Sequence, residues 1–241
     1  SPINATQRYL YRSKLNGKGA AERVSPKSQD GTHSYSISPN GKYARHSFSN
    51  THTRPLQEFV ALPNHKAIRD EIDEERIEKA QTNARVEFFT IKTEQQVEMD
   101  GWSAKPSDFD PNKKYPVVFL VYSEPASANV RDAFGVGMNS LYKGDMARDG
   151  YIYISVDNRG TPVPKGRAWR KSIYRKIGIV NIDDQAHAAK EILKWNFVDS
   201  ERVAVWGWSG GGSATLNLLF RYPEIYKTGI SIAAVANQLT Y

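Results

Sequence analysis

One glycine-rich turn limits what this chain can fold into more than any other feature. The apolar run Val203-Ala204-Val205-Trp206 leads straight into Gly207-Trp208-Ser209-Gly210-Gly211, and a helical pattern follows over residues 213–221. The spacing G-x-S-x-G between a strand and a helix is that of a nucleophile elbow. Such a turn holds its serine in a strained backbone conformation and lifts the hydroxyl above the sheet. Small residues are needed two places either side, because larger ones would collide with strand and helix. The Gly210 N–H would then sit at a helix N-terminus, where it can donate to a developing oxyanion. A phosphate cradle is the competing reading. It is disfavoured because no G-K-[ST] follows and no second glycine fingerprint comes after an earlier strand.

The surrounding pattern supplies a sheet for the turn. Residues 86–92 and 97–105 read as a hairpin, and residues 115–122 form a nearly continuous apolar run suited to a strand buried on both faces. A helix is expected over residues 141–148, a strand over 151–157, and a helix over 183–196 that carries Ala186, Ala189, Ile192 and Leu193 on one face. Asn181 or Asp183 is placed to cap that last helix. A further strand is expected over 228–234. Strands and helices alternating at this spacing predict an α/β fold with a doubly wound, mostly parallel sheet over residues 86–241.

The first sixty residues have a different grammar. Short aromatic or β-branched runs, Arg8-Tyr9-Leu10-Tyr11 and His33-Ser34-Tyr35-Ser36-Ile37, are broken by Asn16-Gly17 and Pro39-Asn40-Gly41-Lys42, which supply the positive φ of tight turns. Strands over 43–47 and 58–62 complete the spacing of a propeller blade. A lone blade buries its faces against neighbouring blades, so residues 1–64 are expected to be the C-terminal part of a β-propeller. Residues 65–85, rich in charge from Asp70 to Lys79, read as a solvated linker helix, in which Glu74 and Glu75 are surface acids rather than a catalytic pair.

Composition narrows the class. The net charge of +7 comes from 33 basic and 26 acidic residues that are interleaved, as in Glu71 to Lys79, so a solvated surface is expected and no nucleic-acid partner. The longest apolar stretch, residues 117–122, is far short of the roughly 20 residues of a membrane span. No signal-peptide pattern begins at Ser1, and zero cysteines exclude disulfide scaffolds and thiolate zinc sites.

A serine nucleophile needs a base, which in this fold follows in the order Ser, Asp or Glu, His. The five histidines, His33, His46, His52, His65 and His187, all precede Ser209, and the only later acid is Glu224. His187 is read as a surface or packed histidine near the start of a helix. The expectation is a nucleophile whose Asp and His lie beyond residue 241, so these residues alone are expected to be inactive.

Several stretches carry a family resemblance. They are Asp157-Asn158-Arg159-Gly160, Trp169-Arg170, Asp183-Asp184-Gln185, Phe197-Val198-Asp199, Arg202 and Trp206-Gly207-Trp208-Ser209-Gly210-Gly211-Gly212. Thr6-Gln7-Arg8-Tyr9-Leu10-Tyr11-Arg12, Gly31-Thr32-His33-Ser34-Tyr35, Phe109-Asp110-Pro111 and Lys113-Lys114-Tyr115-Pro116 agree with them. Together they resemble the bacterial dipeptidyl peptidase IV type of the prolyl oligopeptidase family of serine peptidases. The resemblance implies the N-terminal part of an α/β-hydrolase domain, truncated after the nucleophile helix and the next strand and preceded by the last blade of a propeller.

It also implies release of X-Pro or X-Ala dipeptides from free N-termini through an acyl-enzyme, with no cofactor and no metal. By position, Ser209 matches the nucleophile, Gly210 the backbone oxyanion donor, Tyr122 the hydroxyl oxyanion donor, and Val235 and Tyr241 the proline-holding pocket. Gly210 replaces the tyrosine of animal members, which removes an aromatic wall from that pocket. Peptide partners, a homodimer when full length, and a periplasmic or cell-surface location are implied in the same way. The alternatives are an acylaminoacyl peptidase or esterase of the same fold, and a non-catalytic binding fragment.

Overall fold

A computed structural model describes residues 4–237. The chain divides into two units, residues 1–84 with 131–136, and residues 85–130 with 137–241. Among the described residues no helix is long and apolar enough to cross a membrane.

The first unit opens with a two-residue ladder, β1 (Tyr11–Arg12) and β2 (Glu22–Arg23). It continues as an antiparallel sheet in the order β3 (Thr32–Ile37), β4 (Tyr43–Ser49), β5 (Leu56–Ala61), β6 (Lys66–Arg69). Alternation decides the buried face. Ala44, His46 and Phe48 of β4 and Glu58 and Val60 of β5 point inward, and the register sets His46 opposite Glu58.

The helix expected across 65–85 is only α1 (Glu74–Lys79), and Lys66–Arg69 pairs with β5 instead. Left-handed residues at His65, φ 51°, and Asp70, φ 57°, bracket that strand and break any helix through it. The helix begins where Asp73 accepts the Arg76 N–H at 2.9 Å.

The second unit holds β7 (Val86–Lys92), β8 (Glu98–Ala104), β9 (Tyr115–Leu120), β10 (Ile152–Val156), α2 (Gly166–Lys171), α3 (Val180–Ile192), β11 (Val198–Trp208), α4 (Gly210–Arg221) and β12 (Thr228–Ile232). The sheet order is β12-β11-β9-β10-β8-β7. Strands β10, β9, β11 and β12 run parallel, while β7 and β8 form an antiparallel edge. Central β9 and β10 are buried on both faces, which is why they are apolar without alternation. Val117, Phe119, Ile152 and Ile154 pack with Ala186, Ala189 and Ile192 of α3 and Ala214 and Leu218 of α4. Each large side chain so buried contributes roughly 1.5–3 kcal/mol.

Two local expectations are corrected. Residues 141–148 form turns rather than a helix. Asn139 Oδ1 accepts the Leu141 N–H at 2.8 Å and Asp145 Oδ1 the Ala147 N–H at 3.0 Å, so side chains compete with helical backbone bonds. Helix α3 starts earlier than expected, with Ile179 at its N-cap and no side-chain cap bond. Asn181 Oδ1 accepts the Gly178 N–H, and Asp183 instead accepts from Arg221 at 2.9 Å and the Tyr222 hydroxyl at 2.8 Å.

Candidate active site

Ser209 closes β11 and opens α4, and its backbone lies at φ 57°, ψ −119°. That conformation is costly for any residue with a Cβ, of order 1–3 kcal/mol, and persists only when the surroundings over-determine it. They do so here through neighbours on both sides. The Ser209 N–H donates to the Ile232 carbonyl at 2.9 Å, and the Val121 N–H donates to the Trp206 carbonyl at 3.0 Å. Ser209 is half-buried while Trp208 before it is exposed, so the turn presents its serine at the end of the sheet.

The turn is tight because backbone fills the space that side chains would take. A Cβ on Gly211 would lie 2.2 Å from the Val121 carbonyl oxygen and 3.2 Å from the Tyr122 Cα. Gly207 is under the same constraint, with the Gly211 and Val121 carbonyl oxygens each 2.4 Å away. These contacts also bring the Tyr122 backbone against the elbow, just past the end of β9. Gly210 differs from them. What a Cβ there would meet is the Glu124 carboxyl group, with Cδ and Oε2 at 2.4 Å. Burial raises the Glu124 carboxyl above its ordinary value.

Val235 is placed by the same helix. Its N–H donates to Ser213 Oγ at 2.9 Å, one turn along α4 from Ser209. The geometry thus gathers Ser209, Gly210, the Tyr122 backbone and Val235 around the start of α4. Tyr241 lies outside the described residues. His187, on α3, is held by other partners: its Nδ1 donates to the Asp183 carbonyl at 2.6 Å and its Nε2 lies 3.1 Å from the Gln95 amide.

The groups that hold this arrangement stand in motifs that the sequence singles out without revealing their role. Asp157 accepts the N–H groups of Asn129 and Val130 at 2.9 and 3.0 Å, pinning the loop beyond Tyr122. Asn158 Nδ2 donates to the Ser123 carbonyl at 3.1 Å, and Gln185 Nε2 donates to Asn158 Oδ1 at 3.0 Å. Arg159 grips Asp184 with Nη2 at 2.6 Å and Nε at 3.0 Å. The motifs around residues 157–160 and 183–185 are therefore the scaffold of the Tyr122 loop. Glu124 carried no sequence signal, because its neighbour Gly210 is 86 positions away.

Comparison with known proteins finds relatives of this chain. Residues 143–241 match the prolyl oligopeptidase family. The chain is 32% identical over 244 residues to a probable dipeptidyl-aminopeptidase B of Neurospora crassa, covering 99% of this chain and 26% of that protein. It is 32% identical over 207 residues to dipeptidyl peptidase 4 of Trichophyton equinum, covering 84% of this chain and 25% of that protein. The crystal structure of Porphyromonas gingivalis dipeptidyl peptidase 4 superposes with a TM-score of 0.82 at 33% identity, over 98% of this chain and 33% of that one. The chain thus spans about a quarter of the length of these curated relatives.

Proposed function

We propose that this chain, whose residues 143–241 are those of the prolyl oligopeptidase family, carries the nucleophile of a serine exopeptidase that removes dipeptides from free N-termini. The observation that carries this reading is Ser209 at φ 57° on the turn between β11 and α4, with the Tyr122 backbone packed against the next turn residues. On this reading the second unit is the nucleophile-bearing part of an α/β-hydrolase domain. The four-stranded sheet of the first unit is the last blade of a propeller, with residues 65–85 leading from one to the other.

In the mechanism, Ser209 Oγ attacks the carbonyl after the second substrate residue. A histidine supplied from outside these 241 residues takes the hydroxyl proton, and an acid partner orients that histidine. The Gly210 N–H and the Tyr122 hydroxyl hold the oxyanion as it forms. As the intermediate collapses the histidine gives that proton to the departing amine of the shortened peptide. Water, losing a proton to the same histidine, then attacks the acyl-enzyme and releases the dipeptide as Ser209 regains its proton. Val235 takes part in holding proline or alanine, a role that the resemblance also gives to Tyr241. No cofactor takes part. A homodimer in the periplasm or at the cell surface, acting on peptides, is part of the same proposal.

The test is the requirement for a free amine. The intact protein is assayed with Ala-Pro-anilide and with its N-acetylated form. Hydrolysis of the free form alone supports the exopeptidase reading. Equal or preferred cleavage of the acetylated form replaces it with an acylaminoacyl peptidase or esterase, and cleavage of neither leaves a binding module.

A further inference from the structure

The first unit buries a chain of titratable groups that the peptidase reading does not use. His33 Nε2 lies 2.8 Å from the Gln29 carbonyl, so that nitrogen carries a hydrogen. In the neutral ring Nδ1 then accepts, and the donor facing it at 2.8 Å is His46 Nε2. With its one hydrogen used there, neutral His46 turns a bare Nδ1 lone pair toward Glu58 Oε1, 2.8 Å away. His46 is 0% exposed and Glu58 3%, so no solvent separates the two acceptors. Two neutral imidazoles hold two N–H groups, while the three contacts between the Gln29 carbonyl and Glu58 need three hydrogens. Joining His46 Nδ1 to Glu58 therefore takes a third hydrogen or a cation at the node between them.

Other groups converge on that node. His65 Nε2 lies 3.0 Å from the same Glu58 oxygen. The three donor atoms, His46 Nδ1, His65 Nε2 and a Glu58 carboxylate oxygen, all lie within 4.8 Å of one another. A tetrahedral zinc-type ion with bonds of about 2.0–2.2 Å separates its ligand atoms by roughly 3.3–3.5 Å, so each imidazole would move about half an ångström from the carboxylate oxygen while the widest separation of the set, within 4.8 Å, closes by about an ångström.

We propose that His46 Nδ1, His65 Nε2 and Glu58 form a buried structural site for a divalent transition-metal ion of the zinc class. With the ion in place every hydrogen finds a partner. His46 Nε2–H donates to His33, and His33 Nε2–H donates to the Gln29 carbonyl. His65 Nδ1–H donates to the Tyr35 oxygen 3.0 Å away, and the Tyr35 hydroxyl donates to Ser25 Oγ at 3.0 Å. Such outer partners fix the tautomer of a metal-bound imidazole. The Ile72 N–H holds Glu58 Oε2 at 3.0 Å.

A buried acceptor also remains beside this network. Gln29 Nε2 donates to the Ile72 carbonyl at 3.1 Å, while Gln29 Oε1 has no partner among the described residues. The ion would tie β4, β5 and the turn before β6 together, as a disulfide would in a chain that had cysteines.

The test uses the intact protein, stripped with a chelator and titrated with Co²⁺ at pH 8. The expected result is visible absorption that saturates at one ion per chain and is erased by one equivalent of Zn²⁺. His65→Asn should abolish it, and His33→Leu, acting only through His46, should weaken metal binding roughly 10–100-fold. Should the variants fold poorly, X-ray absorption of the Zn²⁺-loaded parent protein decides, with two imidazole nitrogens in the ligand shell expected. Absence of stoichiometric Co²⁺ absorption overturns the site and leaves a proton at the node. A shell without imidazole, or unchanged affinity in a folded His65→Asn, overturns it equally. None of these outcomes depends on the peptidase reading of Ser209.

Discussion

The Val235 backbone N–H donates to Ser213 Oγ at 2.9 Å, and that hydroxyl lies 3.2 Å from the Val235 carbonyl oxygen. One side chain on α4 therefore clamps the segment after β12 within a turn of Ser209. Replacing Ser213 by alanine removes both contacts, and with hydrogen bonds contributing about 0.5–1.5 kcal/mol each the variant should lose roughly 1–3 kcal/mol. Urea unfolding of the intact protein measures this, and an unchanged midpoint would show that Val235 is held by other means.

Two adjacent glycines should respond unequally to the same added methyl group. At Gly211 the obstacles are the backbone of Val121 and Tyr122, which cannot move without dismantling the sheet, so Gly211→Ala should cost about 3 kcal/mol or more. At Gly210 the obstacle is the end of the Glu124 side chain, which can swing away. Gly210→Ala should be nearly neutral in thermal unfolding, and pairing it with Glu124→Ala should remove any residual cost. Equal losses at both positions would contradict this account of the turn.

Glu124 should also leave a mark on the pH dependence of stability. Burial raises its folded-state pKa above the ordinary 4.5, so between the two values the folded protein binds more protons than the unfolded chain. Its contribution to stability is therefore most favourable below about 4.5 and declines as pH rises through the folded value. Glu124→Gln removes that decline. The variant's advantage in thermal midpoint should be absent at acid pH and should grow toward neutrality, whereas a pH-independent difference would mean the carboxyl is not desolvated.

Asp184 is 1% exposed and is neutralised by Arg159, whose side chain is 31% exposed. Removing the guanidinium leaves a buried carboxylate uncompensated, a loss of about 3–5 kcal/mol for fully buried pairs and less where the cation is partly solvated. Arg159→Leu should accordingly lower stability by about 3 kcal/mol. Arg159→Lys should recover only part of it, because an ammonium cannot reproduce the two-pronged grip. Guanidinium denaturation of both variants checks the order.

The elements around the elbow were legible in the sequence for a physical reason. Strands β9 and β10 are buried on both faces, so they appear as nearly continuous apolar runs, broken in β10 only by Ser155, and the glycines of the turn mark backbone in close approach. Residues 141–148 were misread because an apolar, basic stretch resembles a helix until the Asn139 and Asp145 side chains are seen capturing its N–H groups. Asp183 looked like a cap because its partners, Arg221 and Tyr222, are almost forty residues away. The cluster of His33, His46, Glu58 and His65 was hidden for a similar reason. Only the register of β3, β4 and β5 sets His33, His46 and Glu58 on one buried face, with His65 brought to them by the turn before β6, and register is not written in any one strand.

The Tyr122 hydroxyl, assigned here to the oxyanion, should matter for rate more than for fold. Tyr122→Phe in the intact protein should lower kcat by about 10²–10³, the loss typical of one oxyanion donor. A rate within a few-fold of the parent would remove Tyr122 from the mechanism.

The central claim is that Ser209 is the nucleophile, and a covalent label tests it most directly. The intact protein is treated with a fluorophosphonate, digested, and its peptides weighed by mass spectrometry. The account predicts one phosphonyl adduct, on the peptide containing Ser209, with activity lost in proportion and no adduct in Ser209→Ala. A protein that hydrolyses dipeptide anilides yet carries its adduct elsewhere, or keeps its activity as Ser209→Ala, would contradict it.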